Sequence, residues 1–305
     1  MEKTRSGMSR HMLIPVDFSD ASMFAVRVGF RFARVLGMTP VLMHVYPMVW
    51  LGDDTAGEYL GENDPMESEL ADAIAERDMM RAAEHRFRKF RRQLTEKIES
   101  GDIADVKYTT LLQQGIPEDE ILGYCREQHP GMVLMSTRGI SRKEEDLIGS
   151  VTAEVLDSCE VPVFTIPDNY PIEDSQPLKR MLLFCTLDQY DVPALEKLMH
   201  TFNSPEIDVW LMPVTHRHAA TVQQLLNALF EQLSNAWPNA TFHEAPLLDA
   251  KIDSQLETFI KNNQIELIIA PNRRASILTR LFRPSVAHQC LFTIDIPMLA
   301  LPADK

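Results

Sequence analysis

The sequence predicts an α/β protein made of two doubly wound, five-stranded parallel-sheet domains in tandem. Two observations carry this expectation. Apolar runs of strand length alternate with amphipathic helical segments, the pattern that a parallel sheet with crossover helices requires. The alternation then starts afresh after Asp168–Pro177 (DNYPIEDSQP), whose two prolines and three acids read as a linker.

Residues 11–16 (HMLIPV) are the first buried strand, ending at Asp17-Phe18-Ser19-Asp20, where Ser19 or Asp20 is suited to cap a helix. Phe24, Val28, Phe32 and Val35 mark the expected buried face of that helix, Gly37 ends it, and Pro40–Tyr46 is the second strand. Residues 48–68, rich in glycine and acids, read as a solvated loop. A long helix over about 68–99 follows, with Met80, Ala83, Phe87, Phe90, Leu94 and Ile98 on one stripe. Its charges run from acidic to basic, as the helix dipole favours, and the basic cluster reads as a solvated face. Val106–Gln113 is the third strand, and Gly115-Ile116-Pro117 turns the chain into a helix carrying Ile121, Leu122 and Cys125. Met132–Met135 and Val161–Ile166 are the fourth and fifth strands, on either side of a helix with Val151, Val155, Leu156 and Cys159 on one face.

In the second half, Met181–Thr186, Val209–Val214, Thr241–Pro246, Ile265–Ala270 and Ile296–Leu301 read as strands. Helices are expected at 191–202, along Val222, Leu225, Leu226, Leu229, Phe230 and Leu233, along Ile252, Leu256, Phe259 and Ile260, and at 277–290. The element order repeats that of the first half, so an internal duplication is inferred, with domains at 1–168 and 178–305.

Composition narrows the function classes. With 45% hydrophobic and 24% charged residues over 305 positions, the chain fits a soluble globular protein of two domains. No apolar run reaches the length of a membrane span, and the first residues show no signal-peptide core, so a cytoplasmic location is expected. A formal net charge of −14 argues against nucleic acid or an anionic membrane as a partner. Cys125, Cys159, Cys185 and Cys290 are widely spaced in apolar segments and read as reduced core thiols.

The chemistry concentrates where the fourth strand hands over to its helix. Ser136-Thr137-Arg138-Gly139 follows the strand, and Gly149-Ser150-Val151 opens the helix after nine intervening residues. Small residues at such a handover leave backbone N–H groups open to an anion, and the helix dipole favours negative charge there. Arg138, Arg142 and Lys143 add positive charge, so the site looks built for phosphate.

At these residues the sequence resembles the universal stress proteins, which carry Gly-x-x-Gly, nine residues, then Gly-Ser/Thr at the end of the fourth strand. Gly139, Gly149 and Ser150 match in register, and Ser136 stands where the first glycine would be. The resemblance implies an adenine nucleotide alpha-hydrolase-like fold, with its two domains paired about a pseudo-twofold axis. Further dimerisation is left open. It also implies that Asp17 and Val45 hold the nucleoside, while Met135, Ser136, Gly139, Gly149, Ser150 and Val151 line the triphosphate region. Read by itself, Asp17 is more commonly a helix cap than a ligand contact, and the glycine loop in the same half reverses that preference.

The second half lacks the motif. All 12 glycines lie between Gly7 and Gly149, and the stretch matching the loop is Pro271-Asn272-Arg273-Arg274, nine residues, Pro284-Ser285. Proline offers no N–H and arginine brings a Cβ, so no backbone phosphate cradle is expected there. Thr186, Leu187 or Asp188 takes the place of Asp17.

Walker-type, dinucleotide and nucleophile-elbow motifs are missing, and His216-x-His218 has no evident third metal ligand. Glu144, Glu145 and Asp146 could help hold Mg²⁺, though a solvated acidic stretch is the commoner meaning. The expected function is a stress-response regulatory protein that binds ATP, with Mg²⁺ where needed, in its first domain and hydrolyses it slowly at most. The alternative is a nucleotide-free interaction scaffold, for which Ser136 and the altered second half speak. An acyl- or adenylyl-transferring enzyme has no motif behind it.

Overall fold

The computed structural model describes residues 10–48, 65–137, 149–167, 170, 178–187, 192, 196, 199, 207–214, 219–246, 252–272 and 296–302. In 65–72, 219, 252–255 and 271–272 the backbone alone is described. The elements of the first half are β1 (His11–Pro15), α1 (Asp20–Leu36), β2 (Thr39–Tyr46), α2 (Pro65–Glu99), β3 (Thr109–Gln114), α3 (Pro117–Gln128), β4 (Met132–Ser136), α4 (Ser150–Ser158) and β5 (Val163–Ile166). Those of the second are β6 (Arg180–Cys185), β7 (Ile207–Pro213), α5 (Ala219–Ala236), β8 (Ala240–Glu244), α6 (Ile252–Asn263), β9 (Leu267–Asn272) and β10 (Met298–Pro302). Most of the expected helix at 191–202 and all of that at 277–290 lie outside the described residues, as does most of the expected linker.

The strands form one ten-stranded sheet in the order β3-β2-β1-β4-β5-β10-β9-β6-β7-β8. Neighbours run parallel except at the centre, where β5 and β10 pair antiparallel through Met298↔Thr165, Leu299↔Phe164 and Ala300↔Val163. The order of the second five strands mirrors that of the first.

The likeness extends to single residues. Thr39 N donates to Arg10 O at 2.6 Å, as Asp208 N does to Lys179 O at 2.7 Å. Gly131 N donates to His11 O at 2.8 Å, and Glu266 N to Arg180 O at 2.8 Å. The four described non-glycine residues at positive φ also fall into two pairs at matching places: Phe18 (68°) with Leu187 (57°), and His129 (43°) with Gln264 (51°). This register decides the counterpart of Asp17. It is Thr186, one residue before Leu187 as Asp17 is one before Phe18.

Side chains alternate across the strands, so the sheet carries a core on each face. One holds Met12, Ile14, Leu134 and Phe164 with α1, α2 and α5, continuing through Met181 and Leu299. The other holds Leu13, Val133 and Val163 with α3, α4 and α6, continuing through Leu182 and Ala300. Both cores therefore cross the β5–β10 seam without a break.

The stripes on α2 and α5 largely hold: Ala83, Phe87, Phe90 and Leu94 are buried, as are Val222, Leu226, Leu229 and Leu233. Met80 departs from its stripe and is 44% exposed. On α1 the expected face needs correction. Val28 is buried, but Val35 is 70% exposed, and Phe24 and Phe32 are only partly covered. The helix instead lies against the sheet through Ala21, Ala25, Gly29 and Ala33, with Val26 and Phe30 beside them. Small residues at a spacing of four let the backbone come close, and the larger aromatics flank the contact.

A Cβ added at Gly29 would sit 2.5 Å from Cδ1 of Ile14 and 3.4 Å from Cδ2 of Leu134. Gly29→Val is therefore expected to destabilise the fold by about 1–3 kcal/mol, the usual cost of overpacking. Urea unfolding checks this, and an unchanged midpoint would show that α1 moves away freely.

Candidate functional site

In the first half β1 and β4 are neighbours, yet the chain leaves β1 toward β2 and leaves β4 toward β5. That reversal makes a crevice at the carboxyl ends of the strands, where ligands bind in open α/β sheets. Asp17 follows β1, Ser136 ends β4, Val45 stands near the end of β2, and α4 begins at Ser150. The fold thus brings Asp17, Val45, Met135, Ser136, Gly149, Ser150 and Val151 to one edge of the sheet. Arg138 and Gly139 lie outside the described residues, as do Arg142, Lys143 and the acids at 144–146.

The start of α4 is held from β4. Thr152 Oγ1 donates to Ser136 O at 3.1 Å, and Gly149 N donates to Thr137 O at 3.0 Å. Gly149 is the N-cap at φ −64° and ψ 144°, a conformation open to any residue, so its contribution is the missing side chain. Gly149 has no side chain with which to cap the helix, and the first turn carries no acid. The first amides of a helix have no intrahelical partner, and they lie at the positive pole of its dipole. Ser150 is exposed, while Val151 rests partly against the core.

Ser136 is buried, at 8% exposure. Along β4, Met135 belongs to the core on the α4 face and Leu134 to the core on the α1 face. Strand alternation sends the Ser136 side chain toward the α1 face, away from the start of α4.

Asp17 is half-buried and braces the turn after β1. Its Oδ1 accepts from Ser19 N at 3.0 Å and from Ser19 Oγ at 2.5 Å. Ser19 is the N-cap of α1, its Oγ accepting from Ser22 N at 3.1 Å. The cap is thus Ser19, and neither Asp17 nor Asp20.

Phe18, in this turn, and His44, beside it on β2, carried no functional expectation. Phe18 adopts the left-handed conformation, which costs a non-glycine residue about 1–2 kcal/mol. Its ring lies 4.0 Å from His44, and Phe87 and Phe90 surround it at 5.6 and 5.5 Å. Because Leu187 repeats this conformation, the strained turn belongs to the strand-to-helix handover in both halves; the aspartate marks the first half alone. His44 is 7% exposed, and its Nδ1 donates to Val16 O at 2.7 Å. Nε2 is then the acceptor of the neutral ring, buried and without a hydrogen-bond partner among the described residues. A histidine inside the apolar run PVLMHVY was the available signal.

Elsewhere, a groove of about 370 Å³ runs between the start of α1 and the end of α2, beside Phe18, Ser19, Met23, Phe90 and Lys97. It touches the neighbours of Asp17 and none of the residues around α4. Among the described residues there is no group of three or more metal-ligating side chains, and no helix is long and apolar enough to cross a membrane. The His216–His218 pair lies outside the described residues.

The sequence profile of the Universal stress protein family matches residues 8–167, more than half of the chain. The chain belongs to that family. A universal stress protein from Archaeoglobus fulgidus shares the fold over 98% of both chains, at 17% identity and a TM-score of 0.65. A functionally unknown protein from Pseudomonas aeruginosa does so over 97% of this chain and 93% of that one, at 9% identity and a TM-score of 0.52. At these identities the likeness speaks for the fold, and it runs through both halves. A universal stress protein in complex with cAMP matches 52% of this chain and 98% of its own at a TM-score of 0.31, too loosely to transfer a ligand. No curated protein matches.

Burial lowers the pKa of His44 from its ordinary 6.5; Arg86 acts in the same direction, while the Val16 bond and Asp17 oppose it. The unfolded chain then takes up the proton first on acidification, so stability is lost as pH falls below about 6.5 toward the lower folded value. Above that range the contribution is complete. Urea midpoints between pH 7.5 and 5 are expected to fall less steeply in His44→Gln than in the parent, and parallel curves would remove His44 as the cause.

Proposed function

We propose that this universal stress protein is a regulatory nucleotide-binding protein that takes ATP, with Mg²⁺ as counter-ion, in its first domain. The observation that carries the reading is the start of α4, with its side-chain-free Gly149 cap, at the same sheet edge as Asp17. A helix N-terminus with open amides suits phosphate, and a half-buried carboxylate nearby suits ribose hydroxyls. Asp17 and Val45 would hold the nucleoside; Met135, Ser136, Gly139, Gly149, Ser150 and Val151 would line the triphosphate, with Arg138 adding charge. The side chain of Ser136 points to the other face, which makes serine compatible with a phosphate at α4. Hydrolysis, if any, is slow, since the first turn of α4 brings no acid to serve as base.

We take the chain as a tandem duplication with domains at 1–168 and 178–305, the second without a phosphate cradle. Thr186 replaces Asp17, and Pro271 occupies the place of Ser136 at the end of β9. A net charge of −14 argues against nucleic acid and anionic membranes as partners, and we take the protein to be cytoplasmic.

The alternative, a scaffold without nucleotide, rests on the buried Ser136 where the family has glycine. Purification without added nucleotide, denaturation and chromatography of the supernatant decide between the two. About one adenine nucleotide per chain is expected, or Mg·ATP binding to the empty protein by calorimetry. Neither would leave the scaffold reading. Asp17→Ala is expected to weaken ATP by about 10- to 100-fold, the loss of hydrogen bonds to a charged group, and Gly149→Arg to abolish binding. Both should keep the far-ultraviolet circular dichroism of the parent; unchanged affinity in both sinks the site.

A further inference from the structure

At the opposite edge of the first sheet, two helices end side by side. Cys125 lies in the last turn of α3, and Cys159 is the C-cap of α4. The chain runs from these ends directly into the neighbouring strands β4 and β5. Both side chains belong to the same core, at 1% and 4% exposure, and both are free thiols. They meet there: Cys125 hydrogen-bonds to the sulfur of Cys159, which the backbone amides of Glu160 and Val161 also approach.

An ordinary core thiol needs only apolar neighbours. Three donors directed at one sulfur favour its thiolate, the form that reacts with oxidants. The end of α4 opposes this with its negative pole. The Cys125 bond first, and the two amides after it, hold Cys159 below the ordinary thiol range, while burial and the Glu160 carboxylate work against them. Donation to Cys159 and burial push Cys125 up. Ser158 and Glu160, on either side of Cys159, are exposed, so fraying of the helix end admits a small oxidant.

We propose that Cys125 and Cys159 are a dithiol–disulfide pair oxidised by hydroperoxides, with Cys159 attacking and Cys125 resolving. The Cys159 thiolate attacks one peroxide oxygen. An S–O bond forms, the O–O bond breaks, and the leaving alkoxide takes a proton and departs as the alcohol. Cys159 is then a sulfenic acid. Cys125 gives up its proton and attacks that sulfur; the S–S bond forms, the S–OH bond breaks, and hydroxide leaves with the proton as water. Two thiols have lost two electrons and two protons, and the peroxide has become alcohol and water. The resulting bridge staples α3 to α4 at the edge of the sheet away from Asp17, so the proposal stands whether or not nucleotide binds.

The test uses the full, reduced chain treated with hydrogen peroxide, then denatured in N-ethylmaleimide and peptide-mapped by mass spectrometry. A peptide joining Cys125 to Cys159 is expected, about 2 Da below the sum of the two thiol peptides and lost on reduction. Cys185, buried in the core on the other face, serves as the unreacted reference. Cys125→Ala should let dimedone trap a sulfenic acid on Cys159, and Cys159→Ala should leave Cys125 unlabelled. Full alkylation of both thiols after peroxide overturns the proposal. So does a cross-link to Cys185 or Cys290, or dimedone on Cys125 in the Cys159 variant. The map of the parent chain decides by itself if a variant does not fold.

Discussion

The parting of the chain between β1 and β4 is the constraint on which the candidate site depends. Parallel strands require crossovers of one hand, so leaving β1 in one direction and β4 in the other places their helices on opposite faces. α1 and α2 accordingly cover one core, and α3 and α4 the other. The gap above the two strands opens where their turns begin. Asp17, Ser136 and the start of α4 meet there because the topology leaves them no other edge.

The strand sequence was legible because a buried parallel strand is apolar along its length, whatever face each residue takes. Its ends were less so: the third strand begins at Thr109 rather than Val106, because Val106 packs against the core before the ladder starts. The orientation of α1 was legible only in part, at Val28. Periodicity weights large apolar residues, whereas a helix lying flat on a sheet buries its smallest ones, here Ala25, Gly29 and Ala33. On α2 and α5, which meet the core through long side chains, the same reasoning succeeded.

At the site, the residues that matter through their backbone were the easier to find. Glycine spacing names Gly149 without any knowledge of partners. The standing of Asp17 needed coordinates, since only they show that Ser19 takes the capping role and that the carboxylate supports it. The counterpart of Asp17 likewise stayed open among Thr186, Leu187 and Asp188 until the paired turns at Phe18 and Leu187 set the register. The contact between Cys125 and Cys159 had no sequence signal. The two lie on different helices, and only packing brings them together.

The antiparallel seam of β5 with β10 joins two parts of a single chain. Its formation is therefore first order: dilution cannot part the halves, because the tether fixes the effective concentration of one for the other. An assembly of two identical chains meets every substitution twice, on both sides of the axis, and any change harmful at one site is harmful at both. A seam between unlike halves lifts that restriction. One half can hold Asp17 and Gly149 under selection while the other drifts to Thr186 and Pro271, so long as Met298, Leu299 and Ala300 still complete the sheet. The lasting product of the seam is asymmetry, a twofold frame whose two surfaces are free to evolve apart.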